Sequence, residues 1–136
     1  MTEKKKKPRE FAGVIAQQLE PVNEKKRFKE KFKLYENFRL IINASDARYA
    51  ALVIIDKGTL VVEGISKKEK DVIKNLKKEC DGYLEMSIDL FFKMAMGELS
   101  KAGFAKKLVT RKIKVKGPKN VAILDKLFYY LTDEVK

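Results

Sequence analysis

The sequence contains no histidine and no tryptophan, and its 136 residues include one cysteine and three prolines. Each shortage removes a class of function. Without histidine the chain lacks the commonest general base and the commonest metal ligand. Cys80 alone can build neither an internal disulfide nor an activated thiol–imidazole pair, and a single thiol points to a reducing compartment. No glycine-rich phosphate loop follows a strand-like run, and the carboxylates are scattered among lysines, the pattern of solvated ion pairs. No apolar run approaches the ~18 residues of a membrane span, and the N-terminal MTEKKKKPREF lacks the apolar centre of a signal peptide. The expectation is a cytoplasmic protein that is not an enzyme and uses neither metal nor cofactor.

Charge is what the chain has in excess. Charged residues make up 37% and the net charge is +12, while 45% hydrophobic residues suffice for a packed core. High lysine and glutamate with little glutamine resembles the composition of heat-loving organisms. Two short segments hold most of the positive excess. Residues 1–9 have one acidic and five basic residues, with no apolar run, so residues 1–8 read as a disordered basic arm and residues 9–136 as one domain. Lys4, Lys5, Lys6, Lys7 and Arg9 are candidate contacts for an anionic membrane surface or for nucleic acid; a solubilising tail without a partner fits equally well. The second segment is EKKRFKEKFK, residues 24–33.

Periodicity divides the domain. Pro8 to Leu19 reads as a helix with Phe11, Val14, Ile15 and Leu19 on one face, and Pro21 ends it. Asn23 is placed to cap a second helix through Lys33, with Phe28 and Phe32 one turn apart. Period-two runs at residues 36–43, 48–56 and 59–64, broken at Ser45-Asp46 and Asp56-Lys57-Gly58, predict a three-stranded meander whose middle strand is covered on both sides. Ser66-Lys67-Lys68-Glu69 has the form of a capping box opening a helix with Val72, Ile73, Leu76 and Cys80 on one face. On that face Cys80 reads as a small buried residue, and a reactive thiol as the lesser alternative. A fourth strand is expected at residues 83–87 and a fifth at 107–116, with Pro118 opening the last helix.

The helix after Ser87 is the informative one. In IDLFFKMAM, residues 88–96, only Asp89 and Lys93 are polar, and they are four apart on one stripe. A helix apolar around most of its circumference is plain core, the wall of an apolar hollow, or a partner interface.

At this point the order of motifs resembles the sterol-carrier type of lipid-transfer domain, as a stand-alone prokaryotic or archaeal member. The resemblance is carried by Ser87-x-Asp89-Leu90, Gly97-x-Leu99, and Lys112-Ile113-Lys114-Val115-Lys116-Gly117 leading into a helix, over about residues 36–130. Arg111 stands where that family usually has glycine before this last motif, and Glu98 where it usually has lysine. The resemblance implies an α+β fold with a five-stranded sheet covered on one face by helices and an apolar tunnel between them. It implies non-catalytic carrying of a fatty acyl chain, a sterol-like molecule or a phospholipid. The residues it points to as lipid contacts are Leu90, Phe91, Phe92, Met94, Ala95, Met96, Leu124, Leu127 and Phe128, and the final helix is the expected lid.

The alternating lysines at 112, 114 and 116 fit a solvated sheet face better than a nucleic-acid ribbon, because no aromatic residue lies among the basic residues of the expected strand, 107–116. A basic nucleic-acid-binding domain and a ligand-free homodimerising domain stand as alternatives to the carrier, with the oligomeric state left open.

Overall fold

A computed structural model describes residues 10–68 and 71–132. The basic arm, with Lys4 to Lys7 and Arg9, lies outside the described residues, as does Glu69 of the expected capping box. The described part is an α+β fold around one five-stranded sheet. Its strands are β1 (Phe38–Ala44), β2 (Tyr49–Asp56), β3 (Thr59–Ser66), β4 (Gly82–Met86) and β5 (Lys114–Lys116), in the spatial order β3-β2-β1-β4-β5. β1, β2 and β3 form the expected meander. β4 then returns to the far side of β1 and pairs with it in parallel, Leu40 opposite Gly82 and Ala44 opposite Met86. β5 closes the order antiparallel to β4.

Period two sorts the side chains. Phe38, Leu40 and Ile42 of β1, Val53 and Ile55 of β2, and Leu84 and Met86 of β4 face the main core. Over them lie α1 (Glu10–Leu19), α2 (Lys26–Phe32), α4 (Ile88–Ala95) and α7 (Ile123–Thr132). Aromatic rings tie these helices together. Phe11 meets Phe91 edge-on at 5.6 Å, Phe32 meets Tyr130 edge-on at 6.4 Å, and Phe91 lies 6.3 Å from Phe128. Ile41, Ala50, Leu52, Ile65 and Tyr83 point to the other face, where α3 (Val72–Glu79) covers them with Val72, Ile73 and Leu76, joined by Cys80. The middle strand is thus covered on both sides as its composition demands, and this second, smaller helical layer adds to the helices on the main face. Cys80 is half-buried and its thiol donates to the Lys77 carbonyl; burial pushes its pKa up, away from thiolate reactivity.

Several local expectations changed. Asn23 caps no helix. It lies in a 3-10 turn, Glu20–Glu24, and reaches sideways to β3, its amide accepting from Leu60 N at 2.7 Å and donating to Leu60 O at 2.8 Å. Glu20 accepts from Val62 N on the same strand. An unpaired strand edge competes strongly for an amide side chain. Ser66 ends β3, and α3 begins well after it, at Val72, with no side-chain cap on its first turn. The largest change is in the segment expected as the long fifth strand. Residues Lys101–Val109 form a helix, α5, and β5 is reduced to three residues. Ser100 caps α5 by accepting from Gly103 N at 2.9 Å, and the run KAGFAKKL is rich in good helix formers. The lysine alternation is real only where it meets β4, and there Lys114 and Lys116 are exposed on an edge strand.

Two glycines are required by geometry. In the β2–β3 hairpin, Lys57 (φ +50°) and Gly58 (φ +79°) both occupy the left-handed region, as a type I′ turn demands. A Cβ on Gly58 would lie 2.9 Å from the backbone oxygen of Lys29. Gly117 (φ +68°) packs so closely that a Cβ would meet the Asp81 carbonyl at 2.6 Å.

Gly58→Ala is therefore expected to cost about 2 kcal/mol or more, from the left-handed backbone plus a backbone collision. Lys57→Asn is expected to stabilise by a few tenths to about 1 kcal/mol, because asparagine tolerates that backbone. Urea unfolding midpoints of the two variants check both signs; a neutral Gly58→Ala would contradict the turn geometry.

Candidate functional site

An apolar cavity of about 650 Å3 opens at the β4–β5 end of the sheet, within the range of small-molecule sites. Leu84 and Val115 supply its sheet wall. Met94 enters from α4, Leu99 from the α4–α5 link, and Phe104 and Leu108 from α5. Val121 and Leu124 close it from α6 (Pro118–Val121) and α7, and Ser100, Lys101 and Asp125 bring polar groups to it.

Each wall has a local cause. Ser87 accepts from Leu90 N at 3.1 Å and starts α4 where β4 ends, so the apolar helix begins at the sheet edge. Asp89 and Lys93 pair at 3.6 Å on its exposed stripe. α6 is held against the sheet by Asn120, whose amide donates to the Asp81 carbonyl at 2.7 Å. α5 differs from the other helical walls: none of its residues is buried. The element loosely held over the cavity is therefore α5. The final helix, expected as the lid, instead anchors Leu124 and Leu127 in the core.

The residues expected to contact lipid separate into three groups. Met94 and Leu124 line the cavity. Leu90, Phe91 and Leu127 are buried in the main core, with Phe92, Ala95 and Phe128 half-buried against it. Met96 lies just beyond α4 and is 65% exposed. Leu99, Phe104, Leu108 and Val115 were missed as wall residues, because the strand assigned to 107–116 hid the helical spacing of Phe104 and Leu108.

The opposite face of the sheet carries a polar cluster. Asn43, buried on β1, donates to the Tyr83 hydroxyl and accepts from Lys67 Nζ, both at 2.8 Å. Tyr83 in turn donates to Glu85, which lies 3.9 Å from Lys114 Nζ, and the Lys77 ammonium sits 4.4 Å from the Tyr83 ring centre. Burial, with the Glu85 carboxylate adding to it, pushes the Tyr83 pKa far above its ordinary value, and burial lowers that of Lys67. Every member has a partner, so the cluster reads as the closure of the α3 face. Among the described residues no group of three acidic or thiol side chains is placed to hold a metal ion, and no helix there is long and apolar enough to cross a membrane.

A raised tyrosine pKa stabilises the fold below the ordinary value of 10.0, and that stability is lost as pH rises past it. Stability measured by denaturant is expected to fall above about pH 10. Tyr83→Phe should cost about 1 kcal/mol at neutral pH and flatten this alkaline decline. An unchanged decline in Tyr83→Phe would move its origin to another group.

No protein-family model matches the chain, and no curated protein matches it in sequence. Among solved structures, the chain is similar to a protein described as UbiJ-SCP2 ubiquinone synthesis protein, with a TM-score of 0.56 and 9% identity over 93% of this chain and 99% of that one. It is similar to a conserved hypothetical protein from Thermus thermophilus, named as a candidate sterol carrier protein, with a TM-score of 0.54 and 13% identity over 90% and 85% of the two chains. It also matches part of the sec-alkyl sulfatase PisA1, with a TM-score of 0.56 and 15% identity over 93% of this chain but only 16% of the sulfatase. At such identities the likeness defines architecture. The chain has the sterol-carrier type of α+β fold.

Proposed function

We propose that this protein binds and carries an apolar ligand, a fatty acyl chain or a molecule of similar character, in the cavity beneath α5. The observation that carries the reading is the cavity of about 650 Å3, walled by Leu84, Met94, Leu99, Phe104, Leu108 and Val115. Aliphatic and aromatic walls offer burial, with Ser100, Lys101 and Asp125 as the polar groups beside them. Each methylene taken from water gains about 0.8 kcal/mol, so a ten-carbon stretch supplies about 8 kcal/mol gross before the costs of ordering. The reading requires no chemistry on the ligand. The likeness to a candidate sterol carrier supports it at the level of fold. In this view residues 9–136 act as one domain, and the arm of residues 1–8 adds unspecific attraction to anionic surfaces that salt screens.

The two kinds of apolar residue around α4 are expected to respond differently to truncation. Phe91 is fully buried among aromatic rings, so Phe91→Ala should cost about 3–5 kcal/mol. Met94 faces existing space, and Met94→Ala should lose about 2 kcal/mol or less while altering ligand affinity. Met94→Glu places an unpaired charge in the wall and should abolish uptake. Fluorescent fatty-acid titrations beside thermal melts, with native mass spectrometry of the purified protein, test this. A parent protein that binds no fatty acid and carries no lipid mass would refute the carrier reading.

A further inference from the structure

The segment Met96–Lys112, which contains α5, combines three properties found together nowhere else among the described residues. It walls the cavity on one side, through Leu99, Phe104 and Leu108. It exposes apolar side chains to solvent, Met96 at 65% and Val109 at 82%. It is strongly basic, with Lys101, Lys106, Lys107, Arg111 and Lys112 against Glu98 alone. Exposed apolar groups are unfavourable in water, and charge of one sign repels itself. A surface that is anionic outside and apolar beneath offsets both costs at once.

We propose that this flap docks the protein on an anionic lipid bilayer, with Val109 and Met96 entering the headgroup region and the cations meeting phosphates. The flap is held by half-buried contacts, with Leu99 and Phe104 resting against the core. α5 has no buried residue, and left-handed backbone lies on either side of it. Gly97 (φ +76°) has open space where a Cβ would stand, and Arg111 (φ +65°) occupies a position where glycine would be at ease. Docking sets the cavity wall against the membrane, so a ligand passes between bilayer and cavity without crossing bulk water. This use of the flap rests on the carrier reading, whereas the docking surface itself does not. Charge complementarity alone would also admit nucleic acid. The flap offers no exposed aromatic ring for base stacking, since Phe104, its one aromatic residue, turns into the cavity wall, and its exposed aliphatic groups have no use on a polyanion in water.

The protein has no tryptophan, so a single one placed by mutation is an unambiguous reporter. In the full chain, V109W emission is expected to shift to the blue and become quenchable by brominated lipid on mixing with phosphatidylcholine vesicles containing phosphatidylglycerol. Phosphatidylcholine alone should leave it unmoved. L34W, at a site 84% exposed outside the flap, should stay unshifted on the same vesicles. Lys106→Gln and Lys112→Gln, both on exposed residues, should each weaken vesicle binding about fivefold without changing the thermal melt. Vesicle binding that leaves V109W unshifted would assign the attraction to the N-terminal arm and overturn the proposal. An equal V109W shift with duplex DNA would overturn it too, making the flap a general polyanion surface. Because this readout needs no ligand, docking without fatty-acid uptake refutes the carrier reading alone, and uptake with an unmoved V109W refutes docking alone.

Discussion

The parallel pairing of β1 with β4 is the constraint on which the rest depends. It places a strand from the second half of the chain beside the first strand of the meander, and side chains and backbone lock it at both ends. At one end Asp81 accepts from Arg39 N at 2.9 Å while its own N–H reaches the Arg39 carbonyl at 2.8 Å. At the other, Ser45 N donates to the Met86 carbonyl and Asp46 accepts from Ile88 N. The first lock also holds the carbonyl that Asn120 binds and against which Gly117 packs. The second fixes where α4 leaves the sheet. A parallel return needs a crossover, and α3 supplies it on the face opposite the main core. One pairing therefore explains the second layer, the direction of α4 and the seat of α6.

The cavity follows from what that pairing leaves undone. β4 presents Leu84 to the main core, yet its outer neighbour is only three residues long. A short edge strand cannot carry the apolar layer to the end of the sheet, so α5, α6 and the start of α7 stand in for it. Helices reaching around an edge pack less closely than helices lying on a face, and the space between them is the cavity. The aromatic centre around Phe91 is close-packed by contrast, because Phe11 of α1 and Phe128 of α7 both meet its ring.

Much of this was legible in the sequence. The meander could be read because β1 and β3 carry apolar side chains at every second position, β2 is a continuous apolar run, and the turns between them carry Ser-Asp and Asp-Lys-Gly. Ser87 was readable as a cap because an apolar helix follows it directly. The segment 101–116 was not, since it holds two patterns that overlap. Lys112 to Lys116 alternates like a strand, but Phe104 and Leu108 obey a helical spacing that becomes visible only once Ser100 is seen to cap. Asn23 misled for a different reason: its side chain bonds to a strand 37 residues away, which no local rule reports. The cavity wall fell between these two failures, drawn from several separate elements of which one was misassigned.

The attachment of Asn23 and Glu20 to β3 has a consequence for the protein in concentrated solution. β3 is an eight-residue edge strand at the open end of the sheet, the kind of edge that recruits a strand from another molecule. Side chains of the 3-10 turn occupy Leu60 N, Leu60 O and Val62 N in advance. They act as a stopper, satisfying the edge with groups that cannot themselves be extended into a further strand. At the opposite edge the stopper is electrostatic, made of Lys114 and Lys116. The sheet is thus blocked at one rim by geometry, which salt leaves intact, and at the other by repulsion, which salt weakens. Colloidal behaviour at high ionic strength will be decided at the β5 rim.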